Sequence, residues 1–179
     1  NNVVLVNLTT GALEAIPTNA RASHMIAVTA DAARGFTANV IDHSVSEIDL
    51  VGKRFVRSFT VPAQPEGIAV TPDGKEVWVG SNQTGAVTII STGSGQVSHT
   101  ITGALFPYRL GSSPDGRLMA VVDGRGNKLH IADVASHRFT GAIELTSPRA
   151  VVIQSDNRTA YVTLAAGLLA VVDLQELRV

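Results

Sequence analysis

Four polar side chains recur at one position of this chain and could act together on a ligand. They are His24, Glu66, Tyr108 and Arg149, and successive members lie 42, 42 and 41 residues apart. An imidazole, a carboxylate, a phenol and a guanidinium can bind an anion, exchange protons or hold a metal ion. Which of these chemistries is available depends on whether the fold brings the four positions together.

Further polar residues belong to the same predicted group. Arg109 directly follows Tyr108, while His43 and Arg125 lie in loops that come later in their repeats. Several arginines beside two histidines suit an anionic small molecule or a carboxylate of a partner protein. We call the predicted ligand-binding residues the mouth cluster: His24, His43, Glu66, Tyr108, Arg109, Arg125 and Arg149.

Catalysis and metal binding receive less support than ligand binding. The histidines lack the close spacing of metal ligands, and no G-x-S-x-G nucleophile motif occurs. The chain has no cysteine, which excludes thiolate metal sites and a cysteine nucleophile. We therefore predict no catalytic residue, no metal and no cofactor. The alternative is an enzyme in which His24, His43, Glu66 and Arg149 act on a substrate.

Composition excludes two classes of partner. The formal net charge is -1 and aromatic residues make up 4% of the chain, so no basic or aromatic surface for nucleic acid is predicted. No apolar run approaches the roughly 20 residues that a membrane-spanning helix needs. We therefore predict no nucleic-acid binding and no membrane span.

A structural repeat positions the mouth cluster. Asp31, Asp73, Asp115 and Asp156 keep the same spacing as the polar residues, and each lies in a short turn phrase such as T-P-D-G-K. A second phrase, typified by L-H-I-A-D-V at 129–134, recurs in fixed phase with the first. Each period of about 42 residues fits four short strands, which is the pattern of a β-propeller blade. We therefore predict an all-β propeller of four-stranded antiparallel blades, with the mouth cluster at one end of the central channel.

The phase of the repeat predicts where each blade lies. Complete blades are expected at 24–65, 66–107 and 108–148, with partial blades at 1–20 and 149–179. The first partial blade aligns with the third and fourth strands of the repeat, so closure of a ring within this chain is not expected. We predict a segment of a larger, seven-bladed ring. The alternative is a half-propeller that pairs with a second copy to close a ring.

Three segments carry a family resemblance. Residues 67–75 (G-I-A-V-T-P-D-G-K), 161–163 (Y-V-T) and 171–173 (V-V-D) resemble the YVTN repeat of bacterial β-propellers. The resemblance covers essentially the whole chain, with departures at Ala30, which replaces the turn proline, and Asn157, which replaces the turn glycine.

The resemblance implies a range of functions. Such propellers are similar to secreted, periplasmic or surface-layer proteins, to subunits of quinoprotein amine dehydrogenases, to lactonases and to the haem-carrying propeller of a nitrite reductase. It therefore implies a periplasmic or extracellular binding scaffold for a protein partner or a small anion. The alternative that it implies is an enzyme or redox subunit.

Overall fold

The chain folds into five antiparallel sheets, one for each repeat. The computed structural model describes residues 1–179, which form seventeen strands. We number the sheets as blades 1 to 5. Blade 1 contains β1 (Asn2–Val6) and β2 (Leu13–Pro17). Blade 2 contains β3 (Ser23–Val28), β4 (Arg34–Asn39), β5 (Ser44–Asp49) and β6 (Arg54–Thr60). Blade 3 contains β7 (Pro65–Val70), β8 (Glu76–Ser81), β9 (Val87–Ser91) and β10 (Val97–Ile101). Blade 4 contains β11 (Pro107–Ser112), β12 (Leu118–Asp123), β13 (Lys128–Asp133) and β14 (Arg138–Glu144), and blade 5 contains β15 (Pro148–Ile153), β16 (Thr159–Leu164) and β17 (Leu169–Asp173).

The recurring aspartate closes the turn between the first two strands of a blade. In blade 3 the Thr71 hydroxyl donates to Asp73 Oδ1 at 2.7 Å, and the Lys75 N–H donates to the same oxygen at 3.1 Å. The bond from Thr71 holds the pKa of the Asp73 carboxyl below its ordinary value. Gly74 follows in the left-handed region with a φ of 69°, which explains the glycine of the turn phrase. The same hydroxyl-to-carboxylate bond joins Thr29 to Asp31 and Ser113 to Asp115.

The hydrophobic core lies between neighbouring blades. Trp78 of blade 3 is fully buried against Met119 and Val121 of blade 4, and equivalent apolar layers join blades 2 and 3 and blades 4 and 5. This face-to-face packing of four-stranded sheets is the packing of propeller blades. The predicted all-β propeller fold is therefore confirmed.

The five blades form an open arc. No strand pairing joins blade 1 to blade 5. Val4 and Val6 of blade 1 are 51% and 52% exposed, and Leu169 and Val171 of blade 5 are 60% and 51% exposed. The arc is therefore part of a ring, while the total of seven blades stays a prediction. None of the secondary structure is a helix that could span a membrane.

Candidate functional site

A β-bulge presents the recurring polar position at the start of the inner strand. In blade 2, Ser23 is opposite Asn39 and Met25 is opposite Ala38, so His24 is the extra residue between two ladder pairs. The inner strands of the other three blades shift register at the same point, which includes Glu66, Tyr108 and Arg149. A bulge turns its extra side chain away from the regular alternation of the strand. The residue before the bulge still pairs with the second strand, so the inner strands begin at 23, 65, 107 and 148, one residue before the predicted blade starts.

Glu66 joins residues from three successive blades. Its Oε1 atom accepts a hydrogen bond from Arg109 Nη1 of blade 4 at 3.2 Å and lies 3.5 Å from His24 Nδ1 of blade 2. Its Oε2 atom accepts a hydrogen bond from the Asn82 amide, and the Glu66 side chain is only 17% exposed. The carboxylate therefore balances the charge of Arg109, which the sequence predicts to be a ligand-binding residue.

Two arginines flank a pair of stacked aromatic rings along the edge of blade 4. The Arg109 guanidinium carbon lies 3.9 Å from the centre of the Tyr108 ring, which stacks on Phe106 with the two ring centres 5.6 Å apart. The Arg125 guanidinium carbon lies 4.3 Å from the centre of the Phe106 ring. We call these four side chains the stacked ladder. Phe106 was not among the predicted residues, although its place two positions before Tyr108 in F-P-Y was the available signal.

Asp123 holds the loop that carries Phe106. It is 1% exposed and accepts hydrogen bonds from the N–H groups of Leu105 at 2.7 Å, Phe106 at 2.9 Å and Gly126 at 2.8 Å. These bonds fix the loops on both sides of the stacked ladder. Asp123 is therefore a positioning residue for the mouth cluster.

Arg125 and Arg149 differ from Arg109 in their surroundings. Both are exposed, and neither forms an ion pair with a carboxylate. A Cβ placed on Gly124 would lie 3.6 Å from the Pro148 carbonyl oxygen, so the loops that carry the two arginines meet at the boundary between blades 4 and 5. The predicted cluster therefore retains two uncompensated cations at this boundary.

A family model matches residues 2–177, and its description is YNCE-like beta-propeller. The match covers nearly the whole chain. The chain belongs to the YNCE-like beta-propeller family. This assignment confirms the resemblance to YVTN-like propellers that the sequence showed.

The fold of this YNCE-like propeller also occurs in a solved structure. Hydrazine synthase from Kuenenia stuttgartiensis is 25% identical in sequence and superposes with a TM-score of 0.84. The match covers 90% of this chain and 48% of the hydrazine synthase chain, so this chain spans about half the length of the chain that it matches. Among curated proteins, none matches the chain.

His43 lies apart from the Glu66 contacts in this YNCE-like propeller. It is exposed in the β4–β5 loop, and its Nδ1 atom accepts a hydrogen bond from the Gln64 N–H at 3.2 Å. That bond ties blade 2 to blade 3 at the entrance. A depression of about 440 Å³ is lined in part by His24, Val40 and Glu66. No three histidine, aspartate or glutamate side chains converge as metal ligands.

Proposed function

We propose that this YNCE-like propeller is a non-catalytic binding scaffold that recognises an anionic group at its channel mouth. The observation that supports this proposal is the pair of exposed, uncompensated arginines, Arg125 and Arg149, at the boundary of blades 4 and 5. Arg109 is already balanced by Glu66 and therefore acts as a structural neighbour of the binding surface. The ligand is a small anion or a carboxylate on a partner protein, which share this chemistry.

The stacked ladder prepares Arg125 for such a ligand. A guanidinium that lies over an aromatic ring keeps its N–H groups at its edge available for the two oxygens of a carboxylate. Because Phe106 already restricts the Arg125 side chain, less conformational entropy is lost when an anion binds. Arg149 adds a second cation from the next blade.

We also propose how the arc is completed and where the protein acts. The exposed apolar side chains of blades 1 and 5 suit contact with further blades, and a seven-bladed ring would cover them. A second copy of the chain is the alternative partner, and the molecular mass in solution separates the two. The family resemblance supports a periplasmic or extracellular location.

Replacing both exposed arginines tests the binding proposal. Citrate is a suitable probe because it carries several carboxylates, and isothermal calorimetry measures its affinity directly. The variant Arg125→Gln with Arg149→Gln is expected to weaken citrate binding at least about tenfold, because two charge-assisted contacts are lost. Arg117→Gln is the matched control, since Arg117 is 84% exposed and lies at the opposite end of blade 4. Equal citrate affinity in the double variant and the control would contradict the proposal.

One observation favours an enzyme as the second candidate function. The contact between His24 Nδ1 and Glu66 Oε1 leaves His24 Nε2 without a hydrogen-bond partner beside the depression. A carboxylate that orients an imidazole in this way is an arrangement used in general base catalysis.

Lactone hydrolysis tests this second candidate. If His24 is the base, His24→Ala is expected to lower the hydrolysis rate at least about a hundredfold, which is a typical share for a general base. His99→Ala on the outer strand of blade 3 is the control and should keep the rate. Absence of hydrolysis in the unmodified protein, or an unchanged rate in His24→Ala, would contradict an enzyme of this kind.

A further inference from the structure

A polar groove lies between blades 3 and 4, along the outer strand of blade 3. Its volume is about 510 Å³. The outer strand β10 forms one wall, and the β13–β14 turn with the start of β14 forms the other. No carboxylate lines the groove, and its polar lining consists of His99, Thr100, Thr102, Ser136, His137 and Arg138.

Two stacked imidazoles, one from each wall, line this groove. The ring centres of His99 and His137 lie 3.9 Å apart, and the ring planes differ by 20°. His137 Nε2 lies 2.8 Å from Glu76 Oε1, and Trp78 Nε1 donates to Glu76 Oε2 at 3.0 Å. Glu76 is therefore the carboxylate partner of His137, whereas His99 has no carboxylate of its own.

The repeat does not require histidines at this junction. At the next junction Leu177 of the corresponding turn packs against Gly141, and at the previous one Gly95 packs against Arg57. All the residues at this turn position have a positive φ, including His137 at 53°. The backbone geometry is therefore shared, while the paired imidazoles belong to the junction of blades 3 and 4 alone.

The charges around the two imidazoles decide what can bind. Arg138 is exposed and forms no ion pair. Glu76 contacts His137, and Asp133 accepts hydrogen bonds from Ser136. With neutral imidazoles, these three ionised groups leave one excess negative charge. Protonation of both rings reverses the excess to one positive charge. His137 also lines a second cavity, in which Asp73 pairs with Lys75, and Asp115 pairs with Arg117 nearby.

We propose that this groove binds an oxyanion when His99 and His137 are protonated. Two adjacent imidazolium rings repel each other, and an anion beside His99 and Arg138 relieves this repulsion. Histidine changes charge between about pH 5 and pH 8, so this site binds in mild acid and releases at higher pH. Proton uptake and anion binding favour each other by linkage.

The buried tryptophan reports on the site. Trp78 is the single tryptophan of the chain, and its ring centre lies 5.9 Å from that of His137. Sulfate is the probe, because it keeps two negative charges over the pH range of the experiment. We expect sulfate to change Trp78 fluorescence with an apparent affinity at least about tenfold tighter at about pH 5.5 than at about pH 7.5. Equilibrium dialysis with radioactive sulfate measures the same affinity without the fluorophore.

Three variants distinguish the site from a general salt effect. Arg138→Gln is expected to weaken sulfate binding about tenfold at about pH 5.5, and His99→Gln to remove most of the pH dependence. Arg117→Gln keeps the affinity of the unmodified protein, and circular dichroism confirms that each variant is folded. Equal sulfate affinity at both pH values, or an unchanged affinity in Arg138→Gln, would overturn the proposal. Because the mouth cluster takes no part, this result is independent of citrate binding there.

Discussion

Asp123→Asn is expected to lower the free energy of unfolding by about 1–3 kcal/mol. The carboxylate accepts three backbone N–H bonds in a buried position, and each donor left without an acceptor costs about 1–3 kcal/mol. Asparagine keeps one side-chain oxygen, which can still accept from Phe106 and Gly126, but its amide nitrogen then faces the Leu105 N–H and leaves that donor without an acceptor. Urea unfolding measures the loss. Asp133→Asn is the control, since Asp133 accepts a hydrogen bond from Ser136 in an exposed turn at the other end of the blade.

The pH dependence of this loss gives a second measurement. Burial opposes ionisation of Asp123, but the N–H groups of Leu105, Gly126 and Phe106 outweigh it and lower the pKa of the carboxyl. A carboxyl whose pKa is lower in the folded state stabilises the fold above its unfolded pKa of about 3.9, and this stabilisation is lost as the pH falls through the folded value. The difference between the unmodified protein and Asp123→Asn should therefore be complete at about pH 7 and shrink below about pH 4. A constant difference down to about pH 2 would argue against this role.

Asp123→Asn should also weaken ligand binding at the mouth cluster. Leu105 directly precedes Phe106, so the loop that carries Phe106 loses one of its two hydrogen bonds to residue 123. We expect weaker citrate binding in the variant even under conditions where it remains folded. Full citrate affinity in folded Asp123→Asn would show that the ladder is positioned by other contacts.

Gly80→Val is expected to destabilise the protein by about 3 kcal/mol or more, because the added side chain cannot be accommodated. A Cβ on Gly80 would collide with the backbone carbonyl oxygen of Pro107 in the next blade. Pro107 directly precedes Tyr108, so the strain would fall on the junction of blades 3 and 4 at the channel mouth. Thermal unfolding measures the loss.

A second glycine of the same blade is the control for this effect. Gly93 lies in an exposed turn outside the left-handed region, and a Cβ there would meet only the Ser91 hydroxyl, 4.0 Å away. Gly93→Ala should therefore change the free energy of unfolding by no more than about 0.5 kcal/mol. Similar losses in Gly80→Val and Gly93→Ala would show that the close approach of the two blades is not the cause.

The fold could be predicted from the sequence because its signals are local and repeated. A turn aspartate such as Asp73 and the strand pattern around it recur at a constant spacing, and each occurrence supports the others. The bulge at His24 could not be predicted, because it depends on how two strands pair and leaves no mark in the order of residues.

The contacts within the mouth cluster also could not be predicted from the sequence. The bond between Arg109 and Glu66 joins residues 43 positions apart, and it balances the charge of a residue that the sequence predicts to bind a ligand. The stacking of Arg125 on Phe106 likewise joins two separate loops. One loop precedes β11, and the other connects β12 to β13. Such pairs are set by the packing of neighbouring blades, which a single sequence does not show.

The bulge at the start of each inner strand separates the choice of side chain from the pairing of the strand. The extra residue makes no regular ladder pair, so its side chain can change without altering the register of the strand that follows. Blades 2 to 5 therefore each offer one such position at the channel entrance, and the contact of Glu66 with His24 shows that neighbouring positions can act together. A ring of such blades can acquire a new ligand by a few substitutions at these positions, while the core between the blades keeps its packing.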